Sequence, residues 1–246
     1  MHWRCPVCHL PLVLHQSTYS CSNQHSYDRA KEGYVNLLLA HRKKSADPGD
    51  TKAMLMSRRL FLEQGHYQPL ALALAQHIQT ANLTPQSVLL DIGCGEGYYL
   101  QQIATQNPEL TIWGIDIARD AARMAAKRLP MMQFAVATSF DLPIPDASVD
   151  IVTCVFAPVS EAEVLRVLKP GGIWYWVRPG AQHLYQLRAL IYEQARLHDI
   201  TLAMPATFAS LTPRTTRYPL TPASPASIRA LLAMTPYSWS ASIELQ

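Results

Sequence analysis

The stretch VLLDIGCGEGYYL, residues 88–100, limits the fold more than any other part of the chain. An apolar run interrupted by one acid leads straight into glycines 93, 95 and 97, and a helix-compatible segment follows. Glycine there permits a tight turn, lets a ligand approach the backbone closely, and leaves amides at a helix start facing it. Short apolar runs recur downstream: TIWGID (111–116), MQFAVA (132–137), DIVTCVF (150–156) and GIWYWV (172–177). Between them lie helical segments such as ARDAARMAAKRL and SEAEVLRVL. This alternation predicts an α/β fold, a parallel sheet with helices on both faces. Upstream, Met54, Leu55, Leu60 and Leu62 among charges predict a helix from Thr51 that Gly65 stops. Pro69 opens a second helix through LALALAQHIQ.

A glycine turn of this kind serves several cofactor classes, so its details decide between them. The spacing is G-x-G-x-G, Asp91 stands two residues before Gly93, and no basic residue lies within the loop. A carboxylate beside the turn repels a pyrophosphate and suits a ligand with an ammonium group, which points to S-adenosylmethionine. Asp116 ends the second strand of the series, where a carboxylate can accept hydrogen bonds from both ribose hydroxyls. Further on, FDLPIPDASVDIV and LKPGG complete a set of motifs similar to those of the class I methyltransferases. Thr138 occupies the place where many such enzymes carry an acid for the adenine amino group, leaving that work to its hydroxyl or to amides near Ser139 and Phe140. The loop after DIVTCV reads FAPV rather than the Asn/Asp-Pro-Pro-aromatic loop of exocyclic-amine methylators, which favours a ring nitrogen as acceptor. Cys154 lies inside a strand without the Pro-Cys turn of pyrimidine carbon-5 methylators, and Cys94 is a small residue in the turn; both read as packing.

Cysteines organise the front of the chain differently. Cys5-x2-Cys8, twelve residues, then Cys21-x3-His25 matches two ligand pairs on facing turns, and thiolates select zinc. His9 and His15 compete with His25 as the fourth ligand, although His9 directly follows Cys8. Four protein ligands leave no open coordination position, so the metal is structural. Residues 1–60 carry nine Lys/Arg against four Asp/Glu, and the rest carry twelve against fourteen. With Trp3, Tyr19, Tyr27 and Tyr34 among the cations, that front suits a polyanion as well as a merely solvated surface. The chain has no run of eighteen apolar residues and no secretory pattern at its start, so a cytoplasmic protein without a membrane segment is expected. Five cysteines, an odd number, also make a poor disulfide framework.

Taken together, the finger, YDRAKEGYVNLL, DPGD, RRLFLEQGHYQPL, LDIGCGEGYY, FAPVSEAEVLRVLKPGG and PGAQHL resemble the RlmA family, which methylates a guanine N1 in bacterial 23S ribosomal RNA. The resemblance is to the enterobacterial type, which acts on guanine 745 in a hairpin loop. It implies a class I methyltransferase with a Rossmann-like sheet and a small N-terminal zinc-binding domain. It implies zinc on Cys5, Cys8, Cys21 and His25, and S-adenosylmethionine contacts at Tyr67, Tyr99, Leu100 and His183, beside Asp91, Gly93, Gly95, Gly97 and Asp116 from the motifs. A homodimer binding 23S RNA is implied as well. The expected divisions are 1–40 for the zinc domain, 41–86 for a linker and helices, and 87–246 for the methyltransferase. Family members continue past MTPYSW into an apolar antiparallel strand, which SASIELQ does not resemble. Phe156, Ala157 and Pro158 are expected to form the wall for the guanine, with Glu161, Glu163 and His183 as candidate proton acceptors. A small-molecule methyltransferase, or an RNA-binding protein with a decayed catalytic domain, are the competing expectations.

Overall fold

The computed structural model describes residues 1–246 except 43–47, 82, 202–207, 210, 211, 236 and 238–246. The expected division at 41–86, a linker and helices, is therefore described only in part, and SASIELQ lies outside the described residues. The chain forms two compact units that interleave along the sequence: residues 1–51 with 74–177, and residues 52–73 with 178–246.

The first unit opens with a three-stranded antiparallel meander, β1 (Val13–His15), β2 (Thr18–Ser20) and β3 (Ser26–Asp28). Its second sheet begins with β4 (Tyr34–Asn36), three residues taken from the segment expected to belong to the zinc domain alone. β4 pairs in parallel with a later strand, and buried Tyr34 and Val35 explain why it stays there. Three residues are too few to show a period, which is why this strand escapes sequence reading.

The helices of 52–79 are α1 (Lys52–Glu63) and α2 (Gln68–Gln79), as their spacing predicts. From there the alternation appears as expected: β5 (Val88–Ile92), α3 (Tyr98–Gln106), β6 (Thr111–Asp116), α4 (Arg119–Arg128), β7 (Gln133–Val136) and β8 (Val149–Val155). α5 (Glu161–Val167) then leads into β9 (Leu168–Val177). β5 is buried at every position, as a central parallel strand covered on both faces must be. α4 turns Ala121, Ala122, Ala125 and Ala126 inward, small residues that bring it close to the sheet. β9 starts four residues earlier than GIWYWV suggests, because Leu168 already pairs with Val149. The register then shifts before Ile151 meets Ile173, so KPGG is an irregularity within the strand and not a turn ahead of it.

The sheet order is β4-β7-β6-β5-β8-β9, with every pairing parallel. Successive strands run outward from β5 through β6 and β7, then the chain crosses back to β8 on the other side. The carboxyl ends of β5 and β8 thus bound a switch point, where open α/β sheets place ligands. The second unit contains α1, α6 (Tyr185–Ile191) and α7 (Pro225–Ala233), whose Ser224 caps its own first turn through the Ser227 amide. Ser227 Oγ also donates to Gln64 Oε1 at 2.7 Å, tying α7 to the end of α1. No helix among the described residues is long and apolar enough to cross a membrane.

Candidate metal centre and cofactor site

Two similar turns build the metal centre. After Cys5 the chain bends so that the His9 amide donates to the Cys5 carbonyl, and after Cys21 the Gln24 amide donates to the Cys21 carbonyl. His9 and Gln24 both take φ of 62°, the left-handed conformation that closes each knuckle. The result gathers Cys5, Cys8, Cys21 and His25, with all four ligand atoms within 4.8 Å of one another. Individual separations are 3.5 Å from Cys5 Sγ to His25 Nδ1, 3.6 Å from Cys8 Sγ to Cys21 Sγ, and 3.5 Å from Cys21 Sγ to His25 Nδ1. Tetrahedral zinc with bonds of about 2.0–2.3 Å requires ligand atoms roughly 3.3–3.8 Å apart, so the set fits that ion. His9 and His15 stand exposed and outside the group. Tyr27, whose phenol burial and the nearby Cys5 sulfur keep protonated, donates to Cys5 Sγ at 3.5 Å and steadies one ligand.

This ribbon is fastened to the larger sheet. Trp3 is 1% exposed and meets Trp113 of β6 edge-on, ring centroids 4.3 Å apart. The Arg4 amide donates to the Pro143 carbonyl, its guanidinium reaches the Leu142 carbonyl, and Tyr19 donates to Gln133.

At the switch point the glycine turn spends its amides internally. Gly93 and Cys94 both donate to the Ile115 carbonyl, and Gly95 donates to Asp116 Oδ2 at 2.9 Å. Asp116 Oδ1 accepts from the Ala118 amide at 2.8 Å, so one carboxylate clasps the end of β6 to the turn and keeps lone pairs for a further donor. Amides committed in this way offer little to a pyrophosphate. Gly93, at φ 73°, also lies so close to the loop after β8 that a Cβ there would stand 2.4 Å from Ala157 Cβ. Asp91 is buried, accepts from Thr153 Oγ1 at 2.7 Å, and is pushed up to about 7 by that burial, with the charge of Asp116 adding to it. A cationic ligand would relieve this excess of carboxylate, which is how the residues fit S-adenosylmethionine.

Glu96, between two of the glycines, was not singled out in the sequence. Its carboxylate lies 2.7 Å from Arg128 Nη2 of α4, with side chains 1% and 11% exposed, and this buried pair pins the turn to the helix behind it. Nothing in the sequence marks a pairing across that separation.

The remaining candidates fall into different settings. Tyr99 is half-buried beside Tyr98, whereas the Leu100 side chain is fully buried in the core, so only its backbone could meet a cofactor. Thr138 Oγ1 accepts from the Phe140 amide, and Phe140 itself is exposed. Phe156 takes φ of 54°, unusual for an aromatic residue, and is 40% exposed at the end of β8; Pro158 is exposed beside it. Glu161 is exposed in the first turn of α5. Glu163 is held by Arg166 and by the Leu142 amide; though burial opposes it, these partners pull its carboxyl below the usual range, a poor setting for a base. Cys154 is buried, its thiol pushed up to about 12 by that burial, and it donates to the Ala157 carbonyl as a packed residue would.

Tyr67 and His183 come together within the second unit, with Tyr67 Oη 3.0 Å from His183 Nε2. Burial first, and then the charges of His198 and Arg188, pull His183 down to about 4, while burial pushes the Tyr67 phenol up. The imidazole is therefore neutral, and its tautomer sets which partner of this hydrogen bond donates.

Comparison with known proteins agrees with this picture. The zinc-ribbon model described as "RlmA, N-terminal" matches residues 3–46, and a methyltransferase-domain model matches 89–172. The chain is 36% identical over 186 residues to the 23S rRNA (guanine(748)-N(1))-methyltransferase of Streptomyces fradiae, covering 75% of this chain and 65% of that protein. It is 35% identical over 208 residues to a provisionally named 23S rRNA (guanine-N(1)-)-methyltransferase of Micromonospora griseorubida, covering 76% and 68%. A Bacillus subtilis protein of the same provisional name is 31% identical over 250 residues, 97% of this chain and 87% of that one. The chain thus spans about two thirds of the length of the first two relatives and most of the third. With a zinc ribbon seated on a class I, S-adenosylmethionine-dependent methyltransferase sheet, and relatives matched across both parts, the chain belongs to the RlmA family.

Proposed function

We propose that the protein transfers a methyl group from S-adenosylmethionine to N1 of a guanine in 23S ribosomal RNA. The observation that carries this reading is the joining, in one compact unit, of a four-ligand zinc ribbon to an acid-flanked glycine turn at the sheet's switch point. A small-molecule methyltransferase has no need of the first, and a decayed domain has no need to keep the second. The named activity of the relatives supplies the substrate class.

In this reading Asp116 accepts from the ribose hydroxyls, Asp91 sets a negative field under the methionine end, and Gly93, Gly95 and Gly97 allow close approach of the ligand. Cys5, Cys8, Cys21 and His25 hold zinc and shape the RNA-binding ribbon. S-adenosylmethionine supplies an already activated methyl group. What the chain must supply is alignment, which can contribute roughly 7–11 kcal/mol in well-oriented reactions. Phe156 and Pro158 offer a surface on which an unstacked guanine rests, with its Watson–Crick edge accessible. N1 loses its proton as the methyl arrives. Glu163 is committed to Arg166, and His183 is neutral with Nε2 engaged, so Glu161 is the named group left exposed to receive that proton. Tyr67 and His183, added to the cofactor contacts by resemblance, are to be tested by substitution. A cytoplasmic homodimer completes the proposal, and light scattering tests the dimer.

Guanine 745 follows from the resemblance and guanine 748 from the Streptomyces relative's name, so position is an experimental matter. Incubation with labelled S-adenosylmethionine and unmodified 23S RNA, followed by reverse transcription, decides it, because an N1 methyl blocks base pairing and stops the enzyme. A stop at 745 supports the full proposal, and a stop at 748 corrects the position alone. Label that enters small molecules and no RNA would overturn the substrate class.

A further inference from the structure

The second unit contains a buried cation with an unused bonding edge. Arg188 lies in α6, 7% exposed, with its Nη1 donating to the Arg196 carbonyl and its guanidinium 5.9 Å from the centre of the Tyr185 ring. Nε and Nη2, which together form the other edge of the fork, are buried and have no hydrogen-bond partner among the described residues. No described acid of this unit is paired with it. His183 and His198 have ring centroids 6.1 Å apart, and Tyr237 Oη lies 3.5 Å from His198 Nε2. Arg188 depresses both imidazoles, after burial in each case, so the three share one neighbourhood. The described acids of this unit are occupied or exposed: Glu63 pairs with Arg59, Asp199 accepts from the Thr201 amide, and Glu193 is exposed.

A buried guanidinium without a counter-charge is costly, and proteins leave few buried donors unsatisfied. An edge made of Nε and one Nη is the geometry that grips two oxygens of a carboxylate or phosphate at once. We infer that Arg188 anchors an oxyanion site, in which Nε and Nη2 take two oxygens of a phosphate or carboxylate group beside His183, His198 and Tyr237.

The oxyanion that the proposed substrate brings to this protein is the RNA phosphodiester. Only that choice of source rests on the proposed function; the anion site itself does not. The test compares the full zinc-loaded chain with Arg188→Gln and with Arg188→Lys, which keeps the charge and loses the fork. Inorganic phosphate is titrated at constant ionic strength while thermal unfolding is followed. The wild type is expected to gain melting temperature saturably, and both variants to need roughly tenfold more phosphate for the same gain. Without phosphate, Arg188→Gln is expected to melt no lower than the wild type, because it removes an uncompensated charge. One further measurement identifies the source. Loss of about one unit from the slope of log affinity for RNA against log salt in Arg188→Gln assigns the phosphodiester. The inference is overturned if a folded Arg188→Gln, or Arg188→Lys should the first not fold, matches the wild type in phosphate response and RNA salt slope.

Discussion

Asp91 is a carboxyl group that water cannot reach, held by Thr153 and standing near a second acid. Burial, with Asp116 adding to it, raises it to about 7, so near neutral pH part of the population is protonated. A group raised in the folded state stabilises the free protein at low pH and loses that contribution as pH rises through about 7. Binding a cation favours the ionised form, so binding expels the proton and affinity rises with pH up to about 7, then levels. Calorimetric titration of S-adenosylmethionine between pH 6 and 8 should show this slope, and Asp91→Asn should flatten it while weakening binding. Gly93 offers a steric counterpart. Any Cβ there collides with Ala157 in a backbone conformation that L-residues avoid, so Gly93→Ala should cost about 1–3 kcal/mol by denaturant unfolding and impair cofactor binding. In the ribbon, Cys21→Ser should release about one zinc per chain, measured by metal analysis, because three ligands hold the ion far less firmly. Zinc retained at full stoichiometry would remove Cys21 from the site.

Among the elements, α4 and the glycine turn are coupled by the Glu96–Arg128 pair. Arg128→Met removes the guanidinium that lies 2.7 Å from the buried Glu96 carboxylate, which should cost about 3–5 kcal/mol in chemical denaturation, more than Glu96→Gln and Arg128→Met together once the charge is gone. The ribbon's seat on β6 is a second joint. Trp3→Ala removes a buried indole packed on Trp113 and should lose about 3–5 kcal/mol. What sequence could read at this scale depended on length and period. β5 and β6 appear with the boundaries their apolar runs give, and α1 and α2 follow the spacing of their leucines, the stop at Gly65 and the start at Pro69. β4 was hidden because three residues carry no pattern, and the early start of β9 because Lys169-Pro170-Gly171-Gly172 reads as a turn until the pairing of Leu168 with Val149 is seen. The cysteine knuckles were legible because metal geometry imposes their spacing. His25 is favoured over His9 and His15 by the same spacing, because it mirrors Cys5, and the β2–β3 turn brings its ring to the three sulfurs.

For the molecule as a whole, the two units interleave where sequence reading expects consecutive domains, and the ribbon shares a unit with the sheet that carries the glycine turn. The part proposed to select RNA and the part proposed to hold the methyl donor therefore belong to one compact unit. Removal of zinc by a chelator should accordingly reduce RNA methylation much more than S-adenosylmethionine binding, since Asp91, Asp116 and the turn are built from β5, β6 and β8 and not from the ribbon. The central claim concerns the atom that receives the methyl group. Nucleoside analysis of 23S RNA methylated by the zinc-loaded protein should yield 1-methylguanosine, close to one per RNA, with none formed by Asp116→Ala; a methyl group on any other base or guanine atom, or no incorporation into RNA, would contradict it.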